Sequence, residues 1–221
     1  MNTLLNIICS KKVKYSILVL FLLFLYITIC AFSYVEAVSA DISNSVFRLH
    51  VIANSDSKED QDLKYIVRDN VLAYMNDICK DAKSKEEAIR IANDHLDEFK
   101  QVAMNTIKDN GFNYDVTVEI GNFSFPTKTY GDISLPSGYY DALRIKIGNA
   151  DGKNWWCVMF PPLCFVDVSS GIVPDESKEA MKKDLSDEEF SLISNEENSN
   201  ISFKFKLIEF FQNAKITTAK N

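Results

Sequence analysis

Three observations predict an α+β domain: two helices packed on one face of a mostly antiparallel sheet, preceded by an N-terminal membrane or signal segment. No charge appears between Tyr15 and Val35. Residues 47–75 pass from β-forming residues, through a polar turn, into apolar positions spaced by three and four. Strand-like runs then recur at residues 114–120, 142–147, 155–160 and 201–207.

Composition narrows the class before any motif is considered. The 221 residues are 47% hydrophobic and 25% charged, enough for a core and against wholesale disorder. Net charge is -7, and beyond residue 40 there are 21 basic against 30 acidic side chains, a net of -9. Such a body repels phosphate, so nucleic acid is not expected as a partner.

The first 40 residues read as targeting. Lys11, Lys12 and Lys14 flank an uncharged run long enough to cross a bilayer, and their charge keeps that end in the cytoplasm. Val38-Ser39-Ala40 supplies small residues suited to cleavage, so cleaved signal and retained anchor both stand. Either way the body, from about Asp41, is exported. Disulfides persist there. Cys157 and Cys164 flank Pro161-Pro162, where a turn can join them as a disulfide or leave two buried thiols. A zinc site lacks a second ligand pair.

Phe47 to Ile52 forms the first strand. In the turn at Ala53-Asn54-Ser55-Asp56, side-chain oxygens can hydrogen-bond nearby backbone. Asp56 with Glu59, or Ser57 with Asp60, caps the helix that carries Leu63, Ile66, Val67, Val71, Tyr74 and Met75. Ser84 with Glu87 opens a second helix, whose stripe runs from Ala88 to Ile107 and ends at Asn110-Gly111. His95 among Asp94, Asp97 and Glu98 suggests either a metal or acid/base site or a solvated acidic face, the plainer reading.

After the strand at 114–120, residues 121–140 are expected to form a loop rich in turn formers and aromatics: Phe123, Phe125, Tyr130, Tyr139 and Tyr140, with Leu135 among them. Asp151-Gly152 predicts a hairpin between the strands at 142–147 and 155–160. The domain proper is placed at 41–170. Residues 171–221 are expected to form an acidic mobile loop with short helical turns, then a strand at 201–207 and a helical turn that pack on the domain.

No nucleophile elbow, zinc-protease helix or phosphate-cradling loop occurs, and seven glycines offer little for a nucleotide loop. No cofactor is implied. The one catalytic-type constellation is His50, Asn54, Ser55, Asp56 and Asp60, at a strand-to-helix turn where sites often lie. It suits an extracytoplasmic hydrolase using His50, Ser55 and Asp56, but turn and cap roles account for Ser55, Asp56 and Ser57. Arg48, Lys64 and Arg68 form an anion-binding strip or, more simply, pair with Asp60, Asp62 and Asp69 on a solvated face.

Three stretches resemble the stage II sporulation protein R family: RLHVIANSDSKEDQDLKYIVRDNVL at 48–72, FPTKTYGDISLPSGYYDALRIKIG at 125–148, and NWWCVMFPPLCFVD at 154–167. The resemblance implies a non-enzymatic signal protein of endospore formation. It is exported from the forespore into the space facing the mother cell. There it activates a membrane-embedded aspartic protease that processes the sigma-E precursor. The contact surface expected on this chain comprises Arg48, His50, Asn54, Ser55, Asp56, Asp60, Gln61, Arg68, Tyr130, Leu135 and Tyr139.

Overall fold

The structure is a computed structural model that describes residues 11–163 and 173–194. The chain divides into two units, residues 1–39 and 40–221. In the first, helix α1 (Lys11–Asn44) carries the uncharged run and is long and apolar enough to cross a membrane. Its last residues, from Ala40, belong to the second unit.

In the second unit a four-stranded sheet has the order β2-β5-β1-β6, from β1 (Phe47–Ile52), β2 (Val116–Phe125), β5 (Gly138–Ile147) and β6 (Asn154–Phe160). A short hairpin, β3 (Lys128–Tyr130) with β4 (Ile133–Leu135), forms a second sheet. β2 and β6 run antiparallel to their neighbours, and β1 is parallel to β5. The architecture is α+β with a mostly antiparallel sheet, as expected.

Alternation along β1 distributes its residues between two faces. Phe47, Leu49 and Val51 meet Leu63, Val67, Val71 and Met75 of α2 (Lys58–Ile78) and Phe99, Ala103 and Ile107 of α4 (Leu96–Asp109). These side chains, with Leu143, Ile145 and Ile147 of β5, are the main core. Asn70 of α2 donates to Thr106 of α4 at 2.9 Å, which ties the two helices together. Of the two capping arrangements, Ser57 with Asp60 forms: the Ser57 hydroxyl accepts from the Asp60 N–H.

Four expectations require correction. The second helix is two, α3 (Lys85–Asp94) and α4, broken at His95, whose ring nitrogen Nδ1 hydrogen-bonds the Tyr74 hydroxyl at 2.9 Å. The spacing of apolar residues continues through the break, so the pattern carried no sign of it. The loop expected at 121–140 contains the second half of β2, the β3–β4 hairpin and the start of β5; Gly121-Asn122 pairs in register with Ala142 and Asp141.

The hairpin at Asp151-Gly152 does not form, because β1 lies between β5 and β6. β1 is buried on both faces and takes the centre, so the 148–153 connection arches over its end. Finally, in the stretch expected to be an acidic mobile loop with short helical turns, those turns are full helices, α5 (Asp175–Lys182) and α6 (Asp187–Ile193), the latter with a complete capping box from Ser186 and Glu189. Met181, Phe190 and Ile193 are buried. The strand expected at 201–207 and the turn after it lie outside the described residues.

Candidate functional site

The turn after β1 and the connection before β6 form one hydrogen-bonded unit. Gly152 N–H donates to the Ala53 carbonyl at 3.0 Å, and Asp151 N–H to the Asn54 carbonyl at 3.2 Å. The Asn54 side chain accepts from Asn149 N–H at 3.0 Å and donates to Asp60 at 2.8 Å. The Ser55 hydroxyl donates to the same Asp60 oxygen at 2.6 Å, and Asp56 accepts from Lys153 N–H at 2.7 Å. Gln61 donates to the Ser55 carbonyl at 2.8 Å, and buried Lys64 donates to Gln61 at 2.6 Å and to the Lys153 carbonyl at 3.2 Å.

Two glycines permit this approach. Gly148 has φ +55°, and a Cβ there would strike the Asn54 side chain; a Cβ on Gly152 would strike the Ser55 carbonyl. Asp60 is buried, which by itself pushes its carboxyl up. Hydrogen bonds from Ser55, Asn54, Tyr114 and Ser57 outweigh that burial and hold it below the usual carboxylate range.

The hydrolase constellation does not assemble. The Ser55 hydroxyl is engaged by Asp60, while His50 Nε2 pairs with the Asn154 side chain at 2.7 Å and its ring stacks on Trp156 at 3.7 Å. Burial foremost, then the Arg144, Lys146 and Arg48 charges, lowers His50 to about 4, so the ring is neutral at pH 7.

His50 and Arg48 lie on the sheet face opposite α2 and α4. Arg48 is fully buried, 4.1 Å from the Phe125 ring centroid and 4.6 Å from that of Tyr140. Its Nη2 donates to the Tyr130 hydroxyl at 2.7 Å, which in turn donates to the Trp156 carbonyl at 3.2 Å. Burial raises the Tyr130 and Tyr140 hydroxyls, so both stay protonated. Among the described residues Arg48 meets no carboxylate. The solvated strip of Arg48, Lys64 and Arg68 is therefore not found: Arg48 sits in an aromatic chamber and Lys64 in the turn network. Lys58 rather than Lys64 pairs with Asp62, and only Arg68 makes the ion pair expected of it, with Asp69 at 2.7 Å. Leu135, in β4 of the hairpin, is buried.

The surface beside the turn network presents three side chains together. The Arg68 guanidinium lies 4.3 Å from the Trp155 ring centroid and 5.0 Å from that of Tyr65. The two rings meet edge to face at 5.4 Å. Tyr65 is 37% exposed and the adjacent Ile66 39%. Tyr, Trp and Arg are the types that dominate binding energy at interfaces. Sequence reasoning singled out Arg68 but missed Tyr65 and Trp155. The Trp155-Trp156 pair at a strand start was the available signal, since alternation sends the two rings to opposite faces of the sheet.

Tyr139, 52% exposed, lies at the other end of β5 from this group. Nine residues separate it from Gly148, about 30 Å along a strand. The turn and the Tyr139 region are therefore not one continuous surface. Cys157 is disulfide-bonded, and Cys164, the partner expected for it, lies outside the described residues. Cys79 is a free thiol that burial raises to about 11. Among the described residues no group of three or more His, Cys, Asp or Glu could hold a metal.

Comparison with known proteins gives a consistent picture. The family model described as stage II sporulation protein R matches residues 43–170, which include the turn network, the Arg48 chamber and the Tyr65–Arg68–Trp155 group. The curated stage II sporulation protein R of Bacillus subtilis (strain 168) is 46% identical over 144 residues, covering 64% of this chain and 64% of that relative. No solved structure matches. The chain belongs to the stage II sporulation protein R family.

Proposed function

We propose that this protein is an intercompartmental signal of endospore formation that acts by contact. Its α1 helix directs the body across the forespore membrane, as a cleaved signal or a retained anchor. In the space facing the mother cell the body engages the extracytoplasmic side of a membrane-embedded aspartic protease. That contact favours the protease's active form, and the sigma-E precursor is cleaved. A ligand shifts such an equilibrium only through better contacts with the favoured state, so the chain must present a defined surface.

The observation that carries this reading is the Tyr65–Arg68–Trp155 group. It is an aromatic and cationic patch shared by a helix and a strand. The turn's nucleophile-type and base-type side chains have structural partners instead of one another. Of the contact residues expected from sequence, Asn54, Ser55, Asp60 and Gln61 then shape the surface, while Arg48, His50, Tyr130 and Leu135 support it from within the fold.

Co-expression of the full chain with the protease and the sigma-factor precursor in a non-sporulating host tests the reading. Precursor cleavage that depends on this chain is the expected result. Absence of cleavage with all three proteins present and correctly located would refute it.

A further inference from the structure

The two edges of the four-stranded sheet are unlike. β6 is seven residues long, its register against β1 slips between Phe47 and Arg48, and Pro161-Pro162 follow it at once. Short length, a register shift and proline are devices that blunt an edge strand against pairing. β2, at the other edge, has none of them: it runs ten residues, pairs with β5 without a shift, contains no proline and carries one charge, Glu119.

The backbone shows which groups of β2 are free. The Asp115 carbonyl, just before β2, accepts from the N–H of Gly148, just after β5, at 2.8 Å. Backbone groups alternate in direction along an antiparallel strand, so those of Val116, Val118, Ile120, Asn122 and Ser124 point away from β5. Among the described residues no strand lies on that side.

We infer that a second copy of this chain pairs along this edge, β2 against β2, antiparallel about a two-fold axis at Ile120. That register alone sets all five outward positions opposite one another. Ile120 faces itself, Val118 faces Asn122 and Val116 faces Ser124, with about two hydrogen bonds at each matched pair. The charges fit a like partner. The body beyond residue 40 carries a net of -9, which repels a second copy over most of its surface. At β2 the single carboxylate is paired with Arg144 at 2.7 Å and Lys146 at 2.8 Å, so this edge is not anionic. In this register Glu119 lies across from Gly121 of the second copy, not from its own counterpart. A strand pair of this length buries less than the roughly 1,200 Å² of a standard interface, so the dimer is weak, with Kd on the order of 10–100 μM. The inference does not rest on the protease, so either proposal can fail alone.

The test uses the full chain in non-ionic detergent micelles. In sedimentation the protein mass of the parent should double between about 1 and 300 μM. Asn122→Pro removes an outward N–H and takes no bond from the β2–β5 ladder, so dimerisation should weaken about tenfold or more. Asn122→Ala should change it less than about threefold. Both variants lose the side-chain bond to Asp141, so their contrast isolates the backbone. On oxidation, Ile120→Cys should form a disulfide between copies, identified by peptide mass, because paired Cα atoms lie about 5.5 Å apart. Asn122→Cys, whose two copies stand about 14 Å apart in this register, should not. Should Asn122→Pro fail to fold, the cross-link decides. A monomer at every concentration would overturn the inference, as would a dimer that Asn122→Pro leaves intact, which would assign association to α1. Cross-linking of Asn122→Cys at the yield of Ile120→Cys would overturn the pairing about Ile120. So would a monomeric chain whose precursor cleavage is lost in Asn122→Pro, which would give the edge to a strand of the protease.

Discussion

The Arg48 Nη2 donates to the Tyr130 hydroxyl at 2.7 Å across 82 residues of sequence, joining the central strand to the hairpin that covers it. Among the described residues the guanidinium is held by aromatic faces and meets no carboxylate. Arg48→Ala therefore leaves a cavity and removes the donor to the Tyr130 hydroxyl, and should cost about 2–4 kcal/mol, read from the urea midpoint. Arg48→Met retains volume and removes a buried charge, so its cost should be the smaller of the two. Equal losses would show that charge, not packing, is what the chamber needs.

The turn network predicts a second pattern. Gly148→Ala forces a side chain into a left-handed backbone position and against Asn54, and should cost about 1–3 kcal/mol. Asn54→Ala removes the acceptor for Asn149 N–H and one donor to Asp60, for about 1–3 kcal/mol. Because both act at one contact, the double variant should cost less than the sum of the two. Strict additivity in a double-mutant cycle would argue that the Gly148–Asn54 contact is not the source of either loss.

Stability should fall as pH drops from 6.5 towards 4. Burial foremost lowers folded His50 to about 4 from an ordinary 6.5. Below pH 6.5 the unfolded chain takes up a proton that the folded chain refuses, so the neutral ring's contribution is complete above 6.5 and drains away below it. Asp60 acts further down: its carboxyl is held below 3.8, and its contribution is lost as pH falls through the folded value. His50→Gln should flatten the urea midpoint between pH 6.5 and 4 and leave the fall below that range. An unchanged slope in this variant would remove His50 as its origin.

The strand–turn–helix unit was legible because its signals are local: alternation in β1, a Ser57 cap, and apolar spacing along α2. What escaped depends on neighbours distant in the chain. An Asp-Gly pair signals a tight hairpin only if the flanking strands pair, and here β1, buried on both faces, separates them. Arg48 looked solvent-facing because a charge suggests water; Phe125, Tyr130 and Tyr140, far along the chain, enclose it. The candidate contact group was half legible. Arg68 carries a charge that draws notice, whereas Tyr65 and Trp155 become a surface only when α2 crosses beside the start of β6.

That group carries the functional prediction. Trp155→Ala or Tyr65→Ala should lower precursor cleavage in the co-expression assay about tenfold or more, the scale of an interface anchor worth 1.4 kcal/mol or above. Tyr65 is 37% exposed, so Tyr65→Ala should cost about 1 kcal/mol; Trp155 packs against the core and its loss should cost more, so cleavage is compared at equal amounts of exported protein. Arg68→Lys keeps charge but loses the planar stack over both rings, and should reduce cleavage while Asp69→Asn does not. Tyr139→Ala, at the far end of β5, is the internal control and should leave cleavage unchanged. Loss of activity at Tyr139 with full activity at Tyr65 and Trp155 would move the contact to the opposite end of the sheet.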